Sequence, residues 1–186
     1  LPRARRLFST LEQAARRYPN DPEVWFALGD ARYHYGFGPG LGVVDREMLG
    51  NFDLAISLDS AFAPAYIHAV ELAFTLDDAA AAQRYARAYL ALDPRDHEVN
   101  GIQLAAALSE LAQARSPRLD ALVDTARART LGDAWTSLRR WPDPGETAVR
   151  VARQLATGQR ADIVLSDTLG ARLRLVVELG YRGHVK

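Results

Sequence analysis

An internal repeat with a period of about 34 residues constrains this chain more than any other feature of its sequence. Leu-Asp-Ser at residues 58–60 recurs, one such period later, as Leu-Asp-Pro at 92–94. A second pair of landmarks, Trp25 and Tyr66, is seven positions farther apart than one period, and a glycine-rich segment between them supplies the difference. Self-similarity at such a period predicts stacked units, each of which buries its apolar side against its neighbours.

Each repeat contains the pattern of two amphipathic helices separated by helix-breaking residues. Asp21 and Pro22 are suited to the N-cap and the first turn of a helix that follows the breaker cluster at 18–22. Apolar residues at spacings of three and four predict helices at 5–18, from 22 onward, and at 45–58, 63–76, 78–92, 97–114, 118–130, 132–140, 146–156 and 169–181. The short apolar run at 161–165 is the one segment with weak strand character.

Composition excludes several classes of protein. The chain has 23 basic and 23 acidic residues, so a net charge of +0 gives no general attraction to nucleic acid or to anionic membranes. It has no cysteine, which excludes disulfides and thiolate metal sites. No run approaches the roughly 18 apolar residues of a membrane span. The abundance of Arg and Ala suggests a bacterial origin, and we expect a cytoplasmic protein.

Two segments carry a family resemblance. Residues 22–30, Pro-Glu-Val-Trp-Phe-Ala-Leu-Gly-Asp, resemble the first helix of a tetratricopeptide repeat, and residues 52–59, Phe-Asp-Leu-Ala-Ile-Ser-Leu-Asp, resemble the second. The resemblance implies an all-α fold, a right-handed α-α superhelix of about four to five antiparallel helix pairs. It also implies that Gly29 is the small residue that lets helices approach one another.

The repeats divide the chain unevenly. Residues 1–96 match the pattern well, with a half repeat at 3–18, a repeat at 22–59 that contains a glycine-rich insertion at 36–44, and a repeat at 63–94. Residues 97–186 match it less well and end inside a further repeat. Met48 is the only methionine, so we expect the sequence to be a piece of a longer protein.

Members of the family that the chain resembles bind peptides or partner domains in a concave groove lined by their first helices. The resemblance places nine residues in that groove: Glu23, Phe26, Asp30, Tyr33, His34, Ile67, His68, Glu71 and Phe74. Because Asp30 and Glu71 are acidic, the predicted partner is a basic or mixed basic-apolar protein segment, and replacing both by alanine should weaken its binding. The alternative is that this face is solvated or packs on another domain.

The sequence gives weaker support to a catalytic or metal-binding function. His34 and His68 can approach one another on successive first helices, where Asp30 or Glu71 would complete a metal site, but the sequence contains no His-Glu-x-x-His motif. We therefore predict surface histidines, no metal and no cofactor. The predicted function is a protein-protein interaction scaffold and not an enzyme. The alternative is a sensory or regulatory repeat region of a bacterial serine/threonine kinase or transcriptional regulator, and an enzyme subunit is a third possibility.

Overall fold

All regular secondary structure in the described residues is helical. The computed structural model describes residues 2–36, 41–157 and 165–183. They form α1 (Pro2–Arg17), α2 (Pro22–Tyr35), α3 (Asp45–Leu58), α4 (Ala63–Thr75), α5 (Ala79–Ala91), α6 (Val99–Gln113), α7 (Arg118–Thr125), α8 (Ala128–Leu138), α9 (Thr147–Thr157) and α10 (Leu165–Tyr181). The predicted all-α class is therefore confirmed for these residues. Of the predicted strand at 161–165, residues 161–164 lie outside the described residues, and Leu165 begins α10.

The chain forms two compact units. Unit 1 consists of Leu1–Leu76 and Ala80–Pro94, and unit 2 consists of Asp77–Ala79 and Arg95–Lys186. Unit 1 ends at Pro94. This is two residues before residue 96, where the sequence predicts that the well-matched repeats end. Unit 1 thus holds α1 to α4 and nearly all of α5, and unit 2 holds α6 to α10.

In unit 1, the consecutive helices α1 to α4 pack against one another. Contacts join α1 to α2, α2 to α3 and α3 to α4, and connections of four to nine residues make such neighbours antiparallel. The start of α2 confirms the predicted cap, because the Asp21 carboxylate accepts hydrogen bonds from the backbone N–H groups of Glu23 and Val24. Pro22 occupies the first turn, where its missing N–H costs nothing.

The core of unit 1 forms where α2, α3 and α4 meet. A Cβ atom at Gly29 of α2 would lie 3.0 Å from two ring carbons of Phe52 in α3, so only glycine allows this approach without a shift. Phe52 itself is 0% exposed. The predicted role of Gly29 as a close-packing residue agrees with this contact. The core cluster comprises Tyr33, Met48, Phe52, Ala55, Ala65, Ala69 and Leu72.

The two landmark aromatic residues make the same contact in successive repeats. The Trp25 indole N–H donates a hydrogen bond to the backbone oxygen of Pro19, at 2.8 Å. The Tyr66 hydroxyl donates to the backbone oxygen of Ser60, at 2.9 Å. Each donor lies six residues after its acceptor, so the two donors have the same separation along the chain as the two acceptors. The internal repeat of the sequence is therefore also a repeat of structure at these positions.

Unit 2 does not keep the consecutive packing of unit 1. Helix α6 contacts both α7 and α8, and α9 contacts α7, α8 and α10. The predicted helix at 118–130 is wrong at its end, because α7 stops at Thr125 and the backbone of Ala126 and Arg127 is extended. This break lets α8 bury Leu131, Leu138 and other apolar residues along one side.

A buried ion pair lies in unit 2. Glu178 of α10 is 1% exposed, and its carboxylate accepts a hydrogen bond from the Arg182 guanidinium at 3.4 Å. Arg182 also donates to the backbone oxygen of Trp141 at 2.8 Å. Burial raises the pKa of Glu178 above its ordinary value, and the positive charge of Arg182 offsets part of that rise.

The raised pKa of Glu178 predicts a contribution to stability that is lost as pH rises. The folded chain binds the carboxyl proton of Glu178 more tightly than the unfolded chain does. The resulting contribution to the free energy of unfolding is therefore complete below the ordinary pKa of glutamate and disappears as the pH rises past the pKa of Glu178 in the folded chain. Urea denaturation of the wild type and Glu178→Gln at about pH 5 and about pH 7 measures it. We expect the wild type to lose stability relative to the variant on going to the higher pH. A difference that stays constant or changes in the opposite direction would contradict the assignment.

Helix α10 also carries an exposed apolar stripe. Leu173, Val176, Val177 and Tyr181 are each more than half exposed, and their spacing places them on one side of the helix. Despite this stripe, none of the helices within the described residues has the length and apolar character that a membrane crossing requires.

Candidate functional site

Five of the nine predicted groove residues come together between α2 and α4. Asp30, Tyr33 and His34 lie on one side of α2, because residues three and four apart are neighbours on a helix. His68 and Glu71 are likewise three residues apart on α4. These five residues are called the histidine cluster below. All five belong to unit 1, so one compact unit positions them.

Asp30 lies between the two histidines. Its Oδ1 atom is 3.3 Å from Nε2 of His34 and 3.3 Å from Nε2 of His68. The two imidazole rings are 5.5 Å apart, centroid to centroid, at an interplanar angle of 82°. One carboxylate oxygen therefore lies close to a nitrogen of each imidazole. One potential ligand atom from each of Asp30, His34 and His68 lies within 4.8 Å of the other two.

Two aromatic rings pack against the His68 ring. The centroid of the Tyr33 ring lies 4.4 Å from that of His68, at an interplanar angle of 34°. The centroid of the Phe52 ring lies 5.2 Å from that of His68, at an interplanar angle of 36°. Nδ1 of His68 is buried and has no hydrogen bond partner among the described residues, with Oε2 of Glu71 3.5 Å away. Glu71 in turn accepts a hydrogen bond from the Tyr33 hydroxyl. Packing thus fixes the plane of the ring, and Nδ1 faces a carboxylate that is itself fixed.

The cluster is more open to solvent at Asp30 and His34 than at His68 and Glu71. The side chains of His34 and Asp30 are 51% and 38% exposed, whereas those of His68 and Glu71 are 16% and 11% exposed. A ligand from solution can therefore reach Asp30 and His34 directly. Glu71 supports the site from below and is not available to a large partner.

Burial of Glu71 changes the predicted role of the two carboxylates. The sequence predicts that Asp30 and Glu71 are free acidic groups that attract a basic segment. Instead, Glu71 is bonded to Tyr33, and Asp30 lies beside two imidazoles that carry positive charge when protonated. Replacing Glu71 by alanine would leave the Tyr33 hydroxyl buried without this acceptor, so that variant would confound binding with stability.

The remaining predicted groove residues have mixed positions. Phe74 is 0% exposed, so the prediction that it lines an open groove is wrong, and it belongs to the core. Glu23 is exposed, and Ile67 is partly exposed. Phe26 is also partly exposed, and the centroid of its ring lies 5.9 Å from that of Phe52 and 5.2 Å from that of Phe62. The partly or fully exposed set, called the α2–α4 face below, is Glu23, Phe26, Asp30, His34, Ile67 and His68.

Of the two other histidines, the structure describes only His97, and it describes only part of the glycine-rich insertion. His97 lies 3.0 Å from the carboxylate of Glu98 in unit 2, and His184 lies outside the described residues. Residues 37–40 of the predicted insertion at 36–44 also lie outside them. Gly36 forms the C-cap of α2, and Gly42 has a φ of 67°, a conformation that favours glycine.

Unit 2 contains an open cleft that no sequence pattern predicts. Its volume is about 660 Å³, and Trp141, Pro144 and Arg115 are among its lining residues. The charged side chains of Asp120 and Arg150 in its wall pair with each other at 2.6 Å. No motif marks the cleft, because its residues come from three helices, α6, α7 and α9, and from the turns between helices, and not from one helical face.

Comparison of this chain with protein-family models, with curated proteins and with solved structures found no match.

Proposed function

We propose that unit 1 is a tetratricopeptide-like repeat region and that its α2–α4 face binds an extended segment of a partner protein. The observation that carries the proposal is the repeated hydrogen bond of Trp25 to Pro19 and of Tyr66 to Ser60. It marks two successive helical repeats that begin in the same way. Helices α3 and α5, the second helices of these repeats, start at residues 45 and 79, a separation in keeping with the period of that family.

The composition of the α2–α4 face supports a protein ligand. Interfaces favour aromatic and large apolar residues that are partly exposed before binding, with polar residues around them. Phe26 and Ile67 supply the apolar part, and each directly follows the landmark aromatic residue of its repeat. Asp30 and His34 supply the polar part. We expect an extended segment with an apolar anchor that contacts Phe26 and Ile67, and with a hydrogen bond donor near Asp30.

The alternative function, a sensory or regulatory repeat region of a larger protein, is a narrower form of the same proposal. A regulatory repeat region attached to a kinase or to a DNA-binding domain would use the same face to recruit a partner. Catalysis in that case would reside in the attached domain.

Peptide selection tests the proposed function. We expect the 186-residue chain, used as bait for a random linear-peptide library displayed on phage, to enrich peptides that share an apolar anchor. A synthetic peptide of the enriched sequence should bind the chain in fluorescence anisotropy. Ile67→Ser should weaken this binding by about tenfold, because an anchor contact of this kind contributes on the order of 1.4 kcal/mol.

Leu58→Ser is the matched control for Ile67→Ser. Leu58 is also an apolar residue of unit 1 with part of its side chain exposed, but it lies at the end of α3, outside the α2–α4 face. We expect this control to bind the peptide as the wild type does. Failure to enrich any peptide, or equal loss of affinity in both variants, would argue against the proposed function.

A further inference from the structure

The geometry points to a binding site for a divalent transition metal ion, of the zinc type, formed by Asp30, His34 and His68. The proposal goes beyond peptide binding and does not depend on it. Two imidazoles and one carboxylate are ligands that zinc commonly uses in proteins. Here they come from two different helices, α2 and α4, so no short sequence motif announces them.

Ligand spacing supports this assignment. Two ligand atoms that are each 2.0–2.1 Å from a tetrahedral zinc ion lie roughly 3.3–3.4 Å from each other. Oδ1 of Asp30 is 3.3 Å from Nε2 of His34 and 3.3 Å from Nε2 of His68. Two of the three edges of the ligand triangle thus already have the required length. The third edge joins the two imidazoles, and the exposed His34 ring can rotate to close it.

The groups behind the ligands also resemble a metal site. A histidine that binds a metal through one ring nitrogen usually donates a hydrogen bond from the other nitrogen to a carboxylate, which fixes its orientation and its tautomer. Nε2 of His68 lies 3.3 Å from Asp30. The buried Nδ1 lies 3.5 Å from Oε2 of Glu71 and has no hydrogen bond partner in the part of the chain that the structure describes. Metal binding to Nε2 would place the proton on Nδ1, where Glu71 is positioned to accept a hydrogen bond from it.

A further layer holds Glu71 in place. Tyr33 donates its hydroxyl hydrogen bond to Glu71 and stacks its ring against His68. Tyr33 therefore contacts both the carboxylate and the imidazole and helps to position each of them. In the ordinary surface pair of His97 and Glu98, by contrast, the histidine side chain is 68% exposed, so solvent and not packing surrounds its ring.

The open side of the cluster defines the remaining coordination position. Three protein ligands leave a fourth position of a tetrahedral ion for water or for a donor atom of a bound partner. The exposed edges of His34 and Asp30 place that position toward solvent. A metal ion here would link α2 to α4 and would replace the weak ion pairs of the cluster by coordinate bonds.

Isothermal titration with zinc chloride tests the proposal. The protein is the 186-residue chain, freed of metal with a chelator and carrying no polyhistidine tag. We expect one zinc ion per chain, a micromolar or tighter dissociation constant, and a higher melting temperature when zinc is present. Magnesium chloride should produce no comparable heat, because magnesium prefers oxygen ligands.

Variants assign the binding to the cluster. His34→Gln, at an exposed position where folding should be unaffected, should weaken zinc binding by at least about 100-fold, as should His68→Gln. Glu71→Gln, which alters the group behind His68, should weaken it by about 10–100-fold. His97→Gln is the control and should bind as the wild type does. If the wild type takes up no zinc, or if His34→Gln binds it equally well, the proposal is wrong and the cluster is a set of ordinary ion pairs.

Discussion

Phe52→Ala should lower the free energy of unfolding by about 3–5 kcal/mol, the largest single-residue effect that we expect in unit 1. Phe52 is 0% exposed, and it fills the space between Gly29 on α2 and the His68 ring on α4. Alanine would remove most of the ring contacts and leave a cavity at the meeting point of three helices. Urea denaturation followed by far-UV circular dichroism measures the change.

Leu58→Ala is the matched control for Phe52→Ala. Leu58 lies on the same helix, α3, but it is 37% exposed, so its truncation should cost less than about 1 kcal/mol. Phe52→Ala should also weaken zinc binding, because it removes one of the two rings that hold His68. Equal effects of the two substitutions on stability would mean that Phe52 is not the centre of the core.

Gly101→Ala should lower the free energy of unfolding by about 1–3 kcal/mol, the usual cost of overpacking a close contact. A Cβ atom at Gly101 of α6 would lie 2.5 Å from the Cβ atom of Asp133 and 3.0 Å from its backbone carbonyl carbon in α8. These atoms cannot move without moving α8. The higher helix propensity of alanine, worth about 1 kcal/mol, acts in the opposite direction and is smaller than the largest overpacking costs.

Gly132→Ala separates these two effects. Gly132 lies within α8. Among the described residues, a Cβ atom added there would meet only the Arg174 guanidinium, at the ordinary contact distance of 3.8 Å. Alanine at this position should raise the free energy of unfolding by up to about 1 kcal/mol. The same chemical change should therefore have opposite signs at the two positions. A stabilising Gly101→Ala would show that α6 and α8 are not in close contact.

Local signals in the sequence predicted unit 1 well. Asp45–Leu58, the bounds of α3, are those predicted, because a glycine-rich segment precedes it and Asp59 ends its apolar pattern. Asp21 and Pro22 marked the start of α2 by capping chemistry alone. Each of these boundaries depends on residues within a few positions of it, so periodicity and breaker residues were sufficient.

Unit 2 was harder to predict, since its decisive break has no local signal. The chain leaves the helix at Ala126 and Arg127, and neither glycine nor proline is present there. Alanine and arginine both favour helix, so their extended backbone reflects the packing of α8 and not their own preference. Tertiary contacts of this kind are not visible in a periodic pattern.

The site could be predicted in part. Equivalent positions in two repeats brought Asp30, His34 and His68 onto one face, and the structure places these three together. The burial of residues near the ends of the helices could not be predicted from equivalent positions in the repeats. Phe74 follows the same periodicity as Ile67, yet it is fully buried because other parts of the fold cover that end of α4. Likewise, the hydrogen bond from Tyr33 of α2 to Glu71 of α4 depends on the distance between these two helices, which the sequence pattern does not give.

Hydrogen exchange with the selected peptide tests most directly the central claim that the α2–α4 face of unit 1 binds a protein segment. The amide protons of the whole chain would be followed by mass spectrometry with and without the peptide. We predict slower exchange in α2 and α4 when the peptide is bound, and unchanged exchange in α9 and α10. Protection confined to unit 2, or no change in α2 and α4 at saturating peptide, would contradict the account.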